Sequence, residues 1–365
     1  MKSINTICKL VALILIIIML TGCSASEAVT VTENAADAAA PAPSAEALEK
    51  HQKQVFAMDT VMILTAYGPP AEEALSSAEA LIAELEADLD PESETGSVYA
   101  LNAGSGAQVM VSRDCYNVMS TTMEYWHASG GALDPGIYPL SKAWGFIGGD
   151  YRVPDAAEIN GLLSAKNTGG ILMDESACAA EIPAGMEVSF GAVAKGYTAQ
   201  AVIELMREAG VTSAILSLGG NVQTLGETKP DGSQWQVAVQ DPRDTGSYVG
   251  VLSVGEKAVV TSGGYQRYFV EDGVTYIHIL DPETGYPVDN DLLSVTVVTE
   301  DGAAADALST TLFVLGKDGA LDFYEEYGGF EAVLITKDDG VIITPGLDGA
   351  FTGSGTGYDY YMYNQ

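Results

Sequence analysis

Basic residues are scarce in this chain. Sixteen Lys and Arg stand against fifty Asp and Glu over 365 residues, a formal net charge of −34. Nucleic-acid binding rests on a positive footprint against phosphate, so that class of partner is excluded. Histidine is scarcer still, with only His51, His127 and His278, and the four cysteines follow no metal-site spacing. Both facts argue against a zinc centre. A membrane-spanning segment is also missing: the run from Leu10 to Leu20 is apolar but far short of the roughly 20 residues a spanning helix needs. What is present is a composition that folds. Hydrophobic residues make up 47%, enough for one large body or two moderate ones and too many for a disordered chain. The acidity suits a dispersed soluble body or a site that holds cations, and does not choose between them.

The apolar run follows Lys2 and Lys9 and ends in Leu20-Thr21-Gly22-Cys23. The pattern has the form of a secretory signal, and its end resembles the lipobox of bacterial lipoproteins. The resemblance implies a signal peptide over 1–22 and acylation of Cys23, which would hold the protein on the extracytoplasmic face of the cell membrane without a span. An ordinary secretory signal with a chance cysteine is the alternative. Residues 23–54 are rich in Ala, Glu, Ser, Thr and Pro and are expected to be a tether, with the folded body starting near Val55. Cys115 and Cys178 then remain, as a disulfide or as two free thiols.

Within the body, Val61–Tyr67 is strand-like, and Ala71–Leu89 carries apolar residues at helical spacing (Leu75, Ala78, Ile82, Leu85). Residues 90–106 are expected to be a loop, Asp114–Ser129 a helix, and 130–154 an ordered loop lining something. A further helix over Ala194–Ala209 ends at Gly210. Strand patterns follow at Ala214–Leu218, Trp235–Val239, Val249–Val254, Ala258–Thr261 and Leu293–Thr299, with a helix over Ala303–Leu315. Asp272-Gly273 and Asp339-Gly340 mark two hairpins. The residues after 345 form a Gly- and Tyr-rich tail. The mixture predicts an α+β fold: one body over 55–345, built on a mixed, largely antiparallel sheet flanked by helices.

Three constellations could carry chemistry. Small residues in Ser189-Phe190-Gly191-Ala192-Val193-Ala194-Lys195-Gly196-Tyr197 lead into a helix bearing a lysine. Free N–H groups there suit a phosphate, and a tight strand-to-helix packing turn is the plainer alternative. Asp306 and Thr310 stand four apart and share a helix face. Their oxygens suit a hard cation such as Mg²⁺, although a dipole-stabilised Asp with a packed Thr has the same spacing. His278 ends a strand before a turn fixed by Pro282 and Gly285, where it could act as general base or merely bond its own loop. Asp281 is assigned to the turn rather than to a ligand. Gly219-Gly220 and Gly263-Gly264 supply backbone donors without obstructing side chains.

In order along the chain, Met58-Asp59-Thr60, Ala132-Leu133-Asp134-Pro135, Gly191 to Tyr197, Leu218 to Asn221, Thr261 to Tyr265, His278 to Pro287 and Asp306 to Thr310 resemble the ApbE-type FAD:protein FMN transferase family. The resemblance implies a Mg²⁺-dependent enzyme that takes FAD as substrate and attaches FMN to a Thr or Ser hydroxyl of an acceptor flavoprotein, exported or membrane-bound, releasing AMP. It implies Asp306, the Thr310 hydroxyl and the Ala192 carbonyl as the Mg²⁺ ligands. Met58, Glu92, Ala132, Leu133, Asp134, Ser189, Lys195 and Ile279 would face the flavin nucleotide, and His278 would deprotonate the acceptor. The chain departs from the family pattern at Ser189 (often Asp), Gln200 (often acidic) and Ser309 (often Ala). Two other readings stay open, a FAD pyrophosphatase on the same fold and a flavin-binding lipoprotein without catalysis.

Overall fold

The computed structural model describes residues 48–355 and 357–364. The signal segment, Cys23 and most of the expected tether lie outside the described residues. The described residues form one compact unit.

The first elements are β1 (Lys50–Ala57), β2 (Thr60–Tyr67), α1 (Ala71–Leu89), α2 (Ser97–Ala103) and β3 (Val109–Met110). After them come α3 (Arg113–Ala128), α4 (Tyr138–Ala143), α5 (Ala156–Ala165), β4 (Leu172–Asp174) and β5 (Ala179–Glu181). The middle of the chain gives α6 (Gly191–Glu208), β6 (Ala214–Leu218), β7 (Asn221–Leu225), β8 (Trp235–Gln240), β9 (Tyr248–Val254) and β10 (Ala258–Gly263). A hairpin of β11 (Tyr268–Glu271) and β12 (Val274–Ile277) precedes β13 (Leu292–Thr299) and α7 (Gly302–Tyr327). The chain closes with β14 (Glu331–Thr336), β15 (Gly340–Ile343), β16 (Phe351–Gly353) and β17 (Asp359–Met362).

Nine strands make the central sheet, in the order β1-β2-β6-β7-β10-β13-β14-β15-β17. Every pairing in it is antiparallel except β15 with β17. Alternation along the strands sends apolar side chains to both faces. On one face Met62, Leu64 and Leu216 meet Leu75 and Ile82 of α1 and Val202 and Met206 of α6. Beside them Val260, Val295 and Val297 meet Leu308 and Leu312 of α7. On the other face Val298, Val333 and Val341 pack against Trp235, Val237 and Leu252 from the small β8–β9 layer. The result is helices, sheet and a second small sheet, an α+β body of the expected kind.

Three expectations need correcting. The fold begins at Lys50, five residues before the expected start of the body at Val55: β1 is an edge strand whose outer residues are mostly polar and exposed, so its composition resembles a linker. The supposed loop over 90–106 contains α2, whose seven residues are too few to show a period. The tail after 345 belongs to the sheets, since β16 pairs with β9 and β17 with β15, while the Tyr360 hydroxyl donates to the Val249 carbonyl at 2.6 Å. Helix α7 also runs past Leu315, but it breaks its helical geometry at Gly316, which has φ +73°. Cys115 and Cys178 are both free thiols.

The sheet order determines where the site lies. In the β1–β2 turn Met58 and Asp59 both have positive φ (49° and 59°), as a two-residue hairpin turn requires. The Gly219-Gly220 turn joins β6 to β7. Because β2 pairs with β6 and β10 with β7, these two turns and the C-terminal end of β10 lie at one end of the sheet. Gly219 is packed against Thr60 so closely that a Cβ would come within 2.2 Å of its hydroxyl.

Candidate active site

Helix α6 begins at Gly191, three residues earlier than the spacing suggests, so Lys195 lies just past the first turn. Its N-cap residue, Phe190, offers no side-chain cap; instead the Val193 and Ala194 N–H groups turn back to the Phe190 carbonyl at 2.9 and 3.0 Å. Asn102 holds the approach: its amide donates to the Val188 carbonyl at 3.0 Å and accepts from the Val188 N–H at 2.8 Å. The Ser189 N–H donates to the Pro135 carbonyl at 3.1 Å, joining this segment to the Ala132–Pro135 block. Ser189 Oγ accepts a long hydrogen bond of 3.4 Å from the Gly191 N–H.

Helices α6 and α7 cross at two glycines. A Cβ on Gly196 would sit 2.0 Å from the Gly302 carbonyl oxygen, and one on Gly302 would sit 2.5 Å from that of Gly196. The close crossing presents Asp306, which is 3% exposed, to the start of α6. Its Oδ2 accepts the Gly196 N–H at 2.8 Å and lies 3.9 Å from Lys195 Nζ. Burial pushes the Asp306 carboxyl up, against the pull of Lys195, the Gly196 N–H and the Asn221 amide. Asn221 Nδ2 is turned toward that carboxylate, yet it completes no hydrogen bond of normal geometry. In a regular helix the Gly196 N–H would close on the carbonyl of Ala192. Here it serves Asp306, which sets the carboxylate against the first turns of α6. One turn along α7, Thr310 Oγ1 lies 3.2 Å from Ser262 Oγ, which also meets Ser309 Oγ at 2.8 Å. Ser309 is therefore part of a hydroxyl cluster rather than a bystander.

His278 follows directly from β12 and is half-buried. Its N–H and its Nδ1 both meet the Arg267 carbonyl at 3.1 Å. A carbonyl only accepts, so Nδ1 carries the proton and Nε2 presents a lone pair. Burial, with the charges of Arg267 and then Lys195, pushes the imidazole down to about 4, and it is neutral at pH 7. Asp281 organises the following turn, as expected: its Oδ1 accepts from the Glu283 and Thr284 N–H groups at 2.8 and 3.3 Å.

Other expected residues have internal tasks. Met58 donates its N–H to Glu86 at 2.5 Å, and its sulfur lies 3.8 Å from Thr198 Oγ1 of α6. The Asp134 carboxylate has internal partners: it accepts from the Gly136 N–H (2.9 Å) and the Thr168 hydroxyl (2.5 Å) and pairs with Lys166 at 2.8 Å. Leu133 is buried beside it and Ala132 is partly exposed. Glu92 is an exposed residue whose carboxylate accepts from the Tyr138 hydroxyl. Ile279 is a core residue, 7% exposed. Gln200 does with an amide oxygen what an acid would do, accepting from Gln223 Nε2 at 2.5 Å and from the Gly302 N–H at 3.2 Å. Arg267 and Lys166 carried no sequence signal, since each is a lone basic residue outside any helical period. Lys166 also reaches the Pro282 carbonyl at 2.7 Å, tying the Asp134 cluster to the loop after His278. Among the described residues no group of three or more His, Cys, Asp or Glu could hold a metal ion.

Residues 58–334 match the ApbE family. The chain belongs to that family. A FAD:protein FMN transferase of Klebsiella pneumoniae is 36% identical over 252 residues, 68% of this chain and 77% of the relative. One of Treponema pallidum is 32% identical over 289 residues, 75% of this chain and 80% of the relative. Among solved structures, the ApbE protein of Thermotoga maritima superposes with a TM-score of 0.77 at 27% identity, covering 83% of this chain and 99% of that one. The flavinyl transferase ApbE of Pseudomonas stutzeri gives 0.73 at 27% identity, covering 83% and 96%. The seven sequence blocks thus belong to one ApbE-family body.

Proposed function

We propose that this ApbE-family protein transfers FMN from FAD to a Thr or Ser hydroxyl of an acceptor flavoprotein, releasing AMP, in a Mg²⁺-dependent reaction. One observation carries the reading. His278 is a neutral imidazole with Nδ1 tied back and Nε2 bare, close enough to Lys195 of α6 to feel its charge. A hydroxyl is a weak nucleophile until a base accepts its proton, and an imidazole with this tautomer can do so. The acceptor oxygen would attack the flavin-side phosphorus, its proton would pass to His278, and AMP would leave with the bridging oxygen. Lys195 and the positive end of the α6 dipole suit the negative diphosphate.

The residues present fit a hard divalent cation. A buried carboxylate whose nearest ammonium is 3.9 Å away, the Ala192 carbonyl in the first turn of α6 and a hydroxyl at Thr310 are the oxygen donors such an ion prefers. When bound there, Mg²⁺ supplies positive charge against the charge growing on the leaving phosphate. Cys23 is proposed as the lipidated first residue of the mature chain, placing the enzyme on the extracytoplasmic face with an exported or membrane-bound acceptor.

The test is the intact mass of a Thr-bearing acceptor domain after incubation with the protein, FAD and Mg²⁺. Added FMN that disappears with EDTA and with His278→Ala supports the transferase. FAD cleaved to FMN and AMP beside an unmodified acceptor would replace it with a pyrophosphatase, and intact FAD would leave only a flavin-binding lipoprotein.

A further inference from the structure

We infer that Arg267 is the positioning residue for His278, clamping the stem of the β11–β12 hairpin so that Nε2 faces the reacting hydroxyl. The hairpin is a separate two-stranded sheet with no hydrogen-bonded neighbour in the central one. His278 therefore cannot take its orientation from the main ladder. Its hydrogen bonds go to one atom, the Arg267 carbonyl oxygen, which receives both the His278 N–H and Nδ1–H at 3.1 Å. That oxygen stays in place only if Arg267 does.

The Arg267 side chain ties the stem on two sides. One guanidinium nitrogen donates to the Phe146 carbonyl at 3.3 Å, and the other lies 3.5 Å from Asp59 Oδ2 in the β1–β2 turn. The planar fork of arginine spans two such partners, which a lysine cannot do. Of the two, the Phe146 tie is the firmer, because Asp59 is 80% exposed and its attraction is screened by water. Phe269 stacks between Tyr151 and Tyr276 at centroid distances of 5.2 and 5.1 Å, and the Phe146 ring joins this cluster at 5.7 Å from Phe269 and 6.4 Å from His278. That cluster holds the hairpin body and one edge of the imidazole, while the hydrogen bonds at the stem come through Arg267.

The inference rests on His278 being the base, and the test separates the two ideas. Steady-state transfer by the full mature chain is compared for wild type, Arg267→Ala, Arg267→Lys, Asp59→Asn and His278→Ala, with Tm recorded for each. Arg267→Ala should lower kcat at least tenfold while KM for FAD changes less than threefold. Arg267→Lys, which keeps one tie, should recover most of that loss, and Asp59→Asn should cost threefold or less. A raised KM for FAD at wild-type kcat would make Arg267 a substrate-binding residue and overturn the inference, as would an unchanged kcat. If Arg267→Ala fails to fold, Arg267→Gln, which removes the guanidinium fork but keeps much of the side-chain length, is held to the criterion set for Arg267→Ala. Wild-type transfer by His278→Ala would instead remove the base assignment itself.

Discussion

The backbone N–H of Gly196 donates to Asp306 at 2.8 Å across the crossing of two helices. One carboxylate thus joins α6 to α7. A buried carboxylate is costly without full compensation, and the Lys195 ammonium 3.9 Å away gives only part of it.

Asp306→Asn separates the two roles. The amide oxygen can still accept the Gly196 N–H while the buried charge is gone, so without metal the variant should melt at or above the wild-type temperature. Transfer should fall on the order of 100-fold or more, the scale of losing one electrostatic stabiliser. Mg²⁺ should raise the Tm of wild type, because an ion that binds only the folded state stabilises it, and should leave that of the variant unmoved. A variant that still gains stability from Mg²⁺ would place the ion elsewhere.

His278 gives a pH prediction. Its ordinary value of 6.5 is pushed down to about 4, so the unfolded chain binds more protons between those values. Its contribution to stability is whole above pH 6.5 and is lost as the pH falls toward 4. For catalysis, kcat/KM reports the free enzyme and should show no acid limb from this group until near pH 4. The kcat limb should lie higher, because the diphosphate of bound FAD favours the imidazolium. A kcat/KM profile breaking at 6 to 7 would contradict this environment for the base.

Much of this was legible in the sequence. Helix α1 appears with the bounds that its apolar spacing gives, and Asp272-Gly273 makes its turn with positive φ at both residues. Lys195, His278 and Asp306 were visible because each lies in a block whose neighbours constrain the backbone. Pairwise contacts between distant segments were not. Nothing local to Arg267 shows that its carbonyl anchors His278, and nothing local to Asp134 shows that Thr168 and Lys166 will meet its carboxylate. Strands β1 and β17 were missed for a related reason. An edge strand buries only part of one face, so its polar or mixed sequence resembles a linker until a partner is known.

Lys166 offers a test of that internal network. It is 2.8 Å from Asp134, whose side chain is 3% exposed. Removing one partner of a buried pair leaves the other charge uncompensated, a loss of about 3 kcal/mol or more. Lys166→Ala should therefore unfold at markedly lower urea concentration. It should also slow transfer, because the Lys166 bond to Pro282 supports the loop after His278. Asp134→Asn, which keeps an acceptor for Gly136 and Thr168, should be milder. Equal stability of Lys166→Ala and wild type would mean that the carboxylate needs no cation.

The C-terminal residues allow the sharpest distinction between a tail and a structural element. A tail can be removed at no cost, whereas β17 covers the edge of β15, pairing from Gly340↔Asp359 to Ile343↔Met362. The Tyr360 hydroxyl reaches the Val249 carbonyl, and that of Tyr358 reaches Asp241 at 2.6 Å, so the same segment also holds the β8–β9 layer. Deleting residues 346–365 would expose an apolar strand edge that includes Val341 and Ile343, a template for pairing between chains. The truncated protein should lose Tm and form aggregates detectable by light scattering, with the site residues untouched. A truncated protein that stays monomeric with unchanged Tm would return the segment to the status of a tail.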